Sequence, residues 1–219
     1  MKLKKTIDMK KNAFFAFCAA AFLVASCAGE ETTETTDESG EQQEQEMAAE
    51  SVSYGLDVDK STLKWKGFEG EDEFHVGTIK FSEGSLTMKG DAVESGSFVV
   101  DMTSIEVTDE GMPDKYKAKL QGHLGAEDVW NIAEFASTSV TLGEYKDGEL
   151  SITLNVLGQE VPATVPVSIT VENQVAKIQG DFTVDFTSLN VPLFEPQEEE
   201  DESISPVIEF SLLAALAEK

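Results

Sequence analysis

The chain has 219 residues, with 42 Asp and Glu against 16 basic residues, all of them lysine, and a formal net charge of −26. So acidic a chain excludes a nucleic-acid partner, which needs clustered cations, and the absence of arginine removes the bidentate fork that clamps phosphate or carboxylate. A hydrophobic fraction of 41% is enough for a core and excludes a wholly disordered chain.

In chain order, Lys2, Lys4, Lys5, Lys10 and Lys11 precede an apolar run over 13–25. Its length suits a signal-peptide core and is too short to span a bilayer. The run ends Leu23-Val24-Ala25-Ser26-Cys27. Small residues before a cysteine resemble the lipobox of bacterial lipoproteins, in which the thiol is acylated and becomes the new N-terminus; the alternative is an ordinary secretory signal with a chance cysteine. The expectation is a signal peptide over 1–26, lipidation at Cys27 and a membrane anchor through it. Met9-Lys10-Lys11 opens a complete signal by itself, so the first eight residues read as an extension. Cleavage removes Cys18, which leaves no thiol pair for an intrachain disulfide. The stretch 30–46, EETTETTDESGEQQEQE, holds eight acids and no base or apolar residue. It cannot offset its ordering entropy, so 27–51 is expected to be a disordered, acidic tether. Acids soon after the cysteine also resemble the surface-export signals of Bacteroidetes lipoproteins. A folded domain is expected over 52–219.

The body alternates apolar and polar residues with a period of two, the mark of half-buried antiparallel strands. Ile79 and Phe81 share one face; Phe98, Val100 and Met102 share another. The segment 113–124 breaks the pattern. It is rich in helix formers, Pro113 suits a first turn, and Tyr116, Leu120 and Leu124 fall four apart on one face. A second short helix is expected over 126–130. Strands resume with Leu150, Ile152, Leu154 and Val156, after a turn at Lys146-Asp147-Gly148. Val161, Ala163, Val165, Val167, Ile169 and Val171 read as one face of a longer strand, with an edge, bulge or bend at Pro162 and Pro166. Ile178, Phe182 and Val184, then Ile208, Phe210 and Leu212, complete the pattern. The fold class is all-β: an antiparallel barrel of about eight strands with a short helical insertion placed to plug or gate one mouth.

Gly96-Ser97-Phe98-Val99-Val100-Asp101-Met102-Thr103-Ser104-Ile105, then Gly122-His123-Leu124, Glu127-Asp128-Val129-Trp130 and Glu134-Phe135-Ala136-Ser137, resemble the motifs of the YceI-like family. Ser61-Thr62-Leu63-Lys64-Trp65 and His75-Val76-Gly77-Thr78-Ile79 match its opening strands, and Leu154-Asn155-Val156-Leu157-Gly158 its hairpin. The resemblance spans roughly 52–217. It implies an extended lipocalin-like barrel with a long apolar molecule in an axial tunnel. The chain departs from the family at Asp185-Phe186, where many members carry Asp-Arg, at Val129-Trp130 in place of a phenylalanine pair, and in the acidic loop 196–203.

The tunnel wall is assigned to Trp65, Ile79, Phe81, Phe98, Val100, Leu120, Leu124, Trp130, Phe135, Ile152, Leu154, Val165, Val167, Ile178, Phe182 and Val184, and a polar mouth to His75 and His123. Each tryptophan is equally suited to core packing, and each histidine to a structural role: His123 bonding at the helix-to-strand corner, His75 ending a strand. No nucleophile elbow, phosphate loop or dinucleotide fingerprint is present, so neither an enzyme nor a cofactor is expected. Two histidines without a local motif do not make a metal site. The run 198–202 has oxygen ligands for Ca²⁺ but no EF-hand order and reads as a solvated loop. The reading is a cell-envelope lipoprotein that carries or stores an isoprenoid, quinone or fatty-amide-like lipid, either facing the periplasm or on the cell surface. A homodimer stays open. With no arginine, only lysines such as Lys64, Lys66 or Lys119 serve an anionic head, so neutral or weakly charged heads are expected. The alternative is a barrel filled by its own side chains that acts through its acidic surface.

Overall fold

The computed structural model describes residues 49–70, 73–189, 191–194 and 204–219. The expected signal peptide, Cys27, nearly all of the tether and the acidic loop 196–203 lie outside them. Ten strands and one helix follow in order: β1 (Ser51–Leu56), β2 (Thr62–Glu69), β3 (Glu73–Lys89), β4 (Ala92–Val107), α1 (Asp114–Leu124), β5 (Ser137–Lys146), β6 (Glu149–Val156), β7 (Gln159–Pro166), β8 (Ser168–Glu172), β9 (Val175–Asp185) and β10 (Val207–Glu218). All their pairings are antiparallel, in the order β7-β6-β5-β4-β3-β1-β10-β9-β8, with β2 also between β3 and β10.

The ten strands form eight staves, because two staves are interrupted. β1 and β2 both lie between β3 and β10, at opposite ends: Tyr54 faces Leu86 and Glu218, whereas Trp65 faces Gly77 and Phe210. Between them the single 3-10 turn Val58–Lys60 leaves a gap in the ladder. Ser61 closes it. Its hydroxyl donates to the Asp57 carbonyl at 2.7 Å and accepts the Ala215 N–H at 3.0 Å. The second interrupted stave is the segment expected to be one strand over 161–171. It bends at Pro166-Val167, so that β7 pairs with β6 and β8 pairs with β9, and this turn of the chain closes the barrel. Proline supplies no N–H to the ladder, so the break falls where pairing changes partner. Gly180 of β9 makes room there, since a Cβ would strike the Pro166 carbonyl. Beyond the bend the inward alternation fades, and Val171 is exposed.

Three hairpins turn on two residues with positive φ: Asp147-Gly148, Leu157-Gly158 and Asn173-Gln174. That geometry matches the twist of the flanking strands. β3 and β4 are the longest strands and carry register shifts at Thr78/Lys80, Phe81/Glu83 and Thr87/Met88, which bend the sheet round on itself.

The helix differs in part from expectation. Pro113 caps α1 in an extended conformation, and Leu120 and Leu124 are half-buried. Tyr116, however, is 57% exposed and belongs to the solvent side. The segment 126–130 is a run of turns and not a second helix, closed by Val129 N–H to Ala126 and Trp130 N–H to Leu124. Val129 and Trp130, at the end of these turns, are both buried.

Replacing Ser61 with Ala strands the buried Ala215 N–H. The variant is expected to lose about 1–3 kcal/mol in urea unfolding, while Ser61→Thr retains most of the stability.

Candidate ligand cavities

The inward faces of the staves do not meet. They enclose two apolar cavities stacked along the barrel. The outer one, about 220 Å³, lies between β2, β3, β4, β6 and β10 and under α1, the 124–130 turns and Phe194. The inner one, about 90 Å³, is lined by apolar side chains alone, among them Phe81, Phe98, Ile152, Val165, Ile178 and Phe182. Leu63, Val100, Leu154 and Phe210 line both. These four come from β2, β4, β6 and β10, so one layer of inward side chains forms a waist between the compartments. An apolar cavity of roughly 150 Å³ stays dry and takes up a benzene-sized guest. The outer cavity exceeds that size.

Of the residues expected at the tunnel wall, Trp65, Ile79, Val100, Leu120, Leu124, Trp130 and Leu154 line the outer cavity. Phe81, Phe98, Val100, Ile152, Leu154, Val165, Val167, Ile178, Phe182 and Val184 line the inner one. Phe135 lines neither. Its N–H bonds back to the Asn131 carbonyl, and its ring lies beside Gly158 at the tip of the β6–β7 hairpin. The turn at 131–135 has carried it outside the wall before β5 begins.

The wall is aromatic from mouth to waist. Phe194 and Trp130 meet edge-on at 6.0 Å, Trp130 and Phe186 at 5.6 Å, Phe186 and Phe210 at 6.5 Å, and Phe210 and Phe182 lie 5.9 Å apart. Phe186 is buried in this series, at the position where many members of the resembled family carry arginine. Trp65 fits because residue 77 has no side chain: its indole lies over Gly77, where a Cβ would strike both the ring and the Glu106 carbonyl, and its Nε1 donates to the Thr78 carbonyl at 3.3 Å.

The polar residues lining the outer cavity are Glu69, His75, His123, Thr138 and Ser205. His75 Nδ1 lies 2.7 Å from Asp109 Oδ2, and its Nε2 lies 3.7 Å from Glu69. Asp109 also accepts the Val76 N–H, so the imidazole is tied to the start of β3 and does not end a strand. His123 is exposed on the last turn of α1. Its side chain makes no hydrogen bond among the described residues; only its carbonyl serves the corner, accepting from Ala126. None of Lys64, Lys66 and Lys119 lines a cavity. Lys66 is spent on the rim, 3.4 Å from Glu209 and over the rings of Phe68 and Phe74 at 4.4 and 4.6 Å. Among the described residues there is no group of three His, Cys, Asp or Glu placed to hold a metal ion.

Sequence reading missed a repeated motif that builds the mouth. Phe98-Val99-Val100-Asp101-Met102-Thr103-Ser104-Ile105 reappears as Phe182-Thr183-Val184-Asp185-Phe186-Thr187-Ser188-Leu189. In each copy one aspartate oxygen accepts both the N–H and the hydroxyl of the threonine two residues on: Asp101 at 2.9 and 2.6 Å, Asp185 at 2.8 and 2.5 Å. The turn aims Met102 and Phe186 into the outer cavity and buries Ile105 and Leu189 beside it. The Thr187 hydroxyl and N–H hold the Asp185 carboxyl below the ordinary carboxylate range.

A family model described as the YceI-like domain matches residues 54–214. No curated protein matches the sequence. Among solved structures, Burkholderia cenocepacia BcnA superposes with a TM-score of 0.58 at 14% identity, over 73% of this chain and 98% of its own. A polyisoprenoid binding domain from Saccharophagus degradans, implicated in plant cell wall breakdown, superposes with a TM-score of 0.53 at 14% identity, over 77% and 99%. At these identities the structural likeness speaks for the fold.

Gly77→Ala is expected to cost about 1–3 kcal/mol by overpacking and to shift Trp65 fluorescence, because the added methyl forces the indole or the β3–β4 ladder to move. A second expectation concerns acid. The lowered Asp185 carboxyl stabilises the fold above the ordinary carboxylate range, and that contribution is lost as pH falls through its folded value. Thr187→Val should therefore lower the urea midpoint at neutral pH, with the difference from wild type vanishing in acid.

Proposed function

Because the chain belongs to the YceI-like family, we propose that it is a binding protein of the cell envelope that carries or stores a long apolar molecule, of isoprenoid, quinone or fatty-amide type, inside the barrel. The carrying observation is the pair of apolar cavities on the barrel axis. A barrel filled by its own side chains would leave few voids larger than a water molecule. Here aromatic and aliphatic side chains line both compartments, with polar groups in the outer one alone. The polyisoprenoid named for the Saccharophagus degradans domain supports the same ligand class. A chain too long for the outer cavity reaches the inner one when the Leu154 and Phe210 side chains rotate aside; both are only half-buried.

Burial supplies the affinity, at roughly 25 cal/mol per Å² of apolar area before the costs of binding. The rim screens the ligand by charge. Among the described residues Glu69 faces the cavity and no lysine does, and Lys66 is held by Glu209 and two phenylalanine rings. An anionic diphosphate would meet a carboxylate and no free cation, so a neutral head fits better. We assign the N-terminal segment to export and lipidation at Cys27, which would tether the domain to a membrane on the periplasmic side or at the cell surface. No helix among the described residues is long and apolar enough to cross a bilayer.

Native mass spectrometry of the full chain, purified without detergent from a membrane-containing host, tests the reading. The expected result is a stoichiometric adduct of a neutral lipid, released by organic solvent. A clean apo mass that persists after incubation with prenols and fatty amides would favour a barrel acting through its acidic surface. Adducts that are mainly diphosphates would contradict the head-group assignment. For the anchor, Cys27→Ser is expected to abolish incorporation of labelled fatty acid and release the protein from membranes.

A further inference from the structure

One polar side chain stands apart from the rim. Thr138, on β5, is the one buried polar residue among the described residues, at 7% exposure. It occupies an inward position of its strand, in the alternation that continues with Val140 and Leu142, where a filled core would take valine. Threonine is nearly valine with a hydroxyl in place of one methyl, and a hydroxyl in an apolar wall is costly unless it is bonded. Its side chain has no hydrogen-bond partner among the described residues. Yet no fully enclosed side-chain oxygen or nitrogen there lacks a partner. The Thr138 hydroxyl must therefore face open space, and the space it lines is the outer cavity.

Its depth separates it from the other polar lining residues. Thr138 pairs across β4–β5 with Val100, one of the four waist residues. Glu69, His75 and Ser205 lie instead at the rim, around the β2–β3 hairpin and the Glu69–Ile204 bridge, and His123 lies on α1. A group bound at Thr138 thus sits at the inner end of the outer cavity.

The geometry points to Thr138 as the hydrogen-bonding anchor of the ligand, holding a neutral oxygen- or amide-bearing group at the waist while the apolar chain fills the cavity toward α1. The assignment rests on the binding reading above and specifies which part of the ligand enters first. A hydroxyl both donates and accepts, so it serves an alcohol, a ketone or quinone carbonyl, or a primary amide equally. A charged head is excluded from this position. No lysine among the described residues lines the cavity, and an ion at the waist would be desolvated without a partner.

The test compares two probes, hexadecanol and hexadecane, on the full chain as wild type, Thr138→Val and Thr138→Ser, by competition in native mass spectrometry. Valine keeps the shape and removes the bond. It is expected to weaken hexadecanol by about tenfold and leave hexadecane within about twofold, whereas serine keeps the wild-type ratio. An unchanged ratio in Thr138→Val would overturn the assignment, placing the alcohol at the rim or a resident water at Thr138. Equal losses of both probes would also overturn it, by showing a packing role alone. If neither probe binds the wild type, the binding reading itself fails and the anchor fails with it. If both bind and the valine variant does not distinguish them, only the anchor fails.

Discussion

The width that eight staves impose on a closed sheet governs the rest of this structure. At that number the interior is just wide enough for side chains to fill it or for one ligand to lie in it, and the choice rests on side-chain volume. At the inner end the choice is filling: Leu86, Ala176, Ala214 and Leu216 are fully buried, and the small residues let β9 and β10 close on their neighbours. Toward the mouth the inward residues are larger but stand against the wall, edge to face with one another, and leave the axis open. The four-residue waist separates the wider outer cavity from the narrower inner one, beyond which the axis is filled.

Closing such a sheet creates defects in the hydrogen-bond ladder, and the chain deals with each one locally. The Ser61 hydroxyl bridges the gap between β1 and β2. The β7–β8 bend spends a proline where no N–H is needed. Of the two aspartate–threonine motifs, Asp185 ends β9 and Asp101 marks a bulge within β4, each satisfying a backbone N–H with a side-chain oxygen. All of these devices use neutral or solvent-facing groups. Among the described residues a carboxylate touches the cavity only at the rim, where Glu69 meets His75.

Period-two alternation made most of the barrel legible, because an inward side chain on a half-buried strand must be apolar. The alternating runs placed Ile79, Phe81, Phe98, Val100, Ile152, Leu154, Val165, Val167, Ile178, Phe182 and Val184 on a cavity, and helical spacing placed Leu120 and Leu124. Sequence pattern misled at turns, past the β7–β8 bend and on the helix. Phe135 precedes β5 in a turn, Val171 follows the bend, and Tyr116 shares a helical spacing with two leucines that bury what it does not. A pattern reports which residues share a face, but not whether that face has a partner. Ser61 and Thr138 were invisible for a different reason. A single hydroxyl has no periodicity, and its meaning comes from an orphaned N–H or an open cavity beside it. The F-x-V-D-x-T-S repeat was available in the sequence and marks both cavity-turning aspartates.

The least strongly held part of the cavity wall is α1. The strands around the cavity are bound on both sides by ladders and by buried side chains. The helix buries no residue completely and touches the interior through Leu120 and Leu124. Its C-terminal side is pinned by Val129 and Trp130, and its N-terminal side starts at Pro113 after an exposed turn. Segments with few buried contacts open at lower free energy than the core they cover. A guest too large for the rim would thus displace the helix before it displaced a strand, with the buried Val129-Trp130 pair as the pivot. The same two leucines that complete the apolar wall keep the helix in place, so filling the cavity with an apolar chain would add to the contacts that hold it closed.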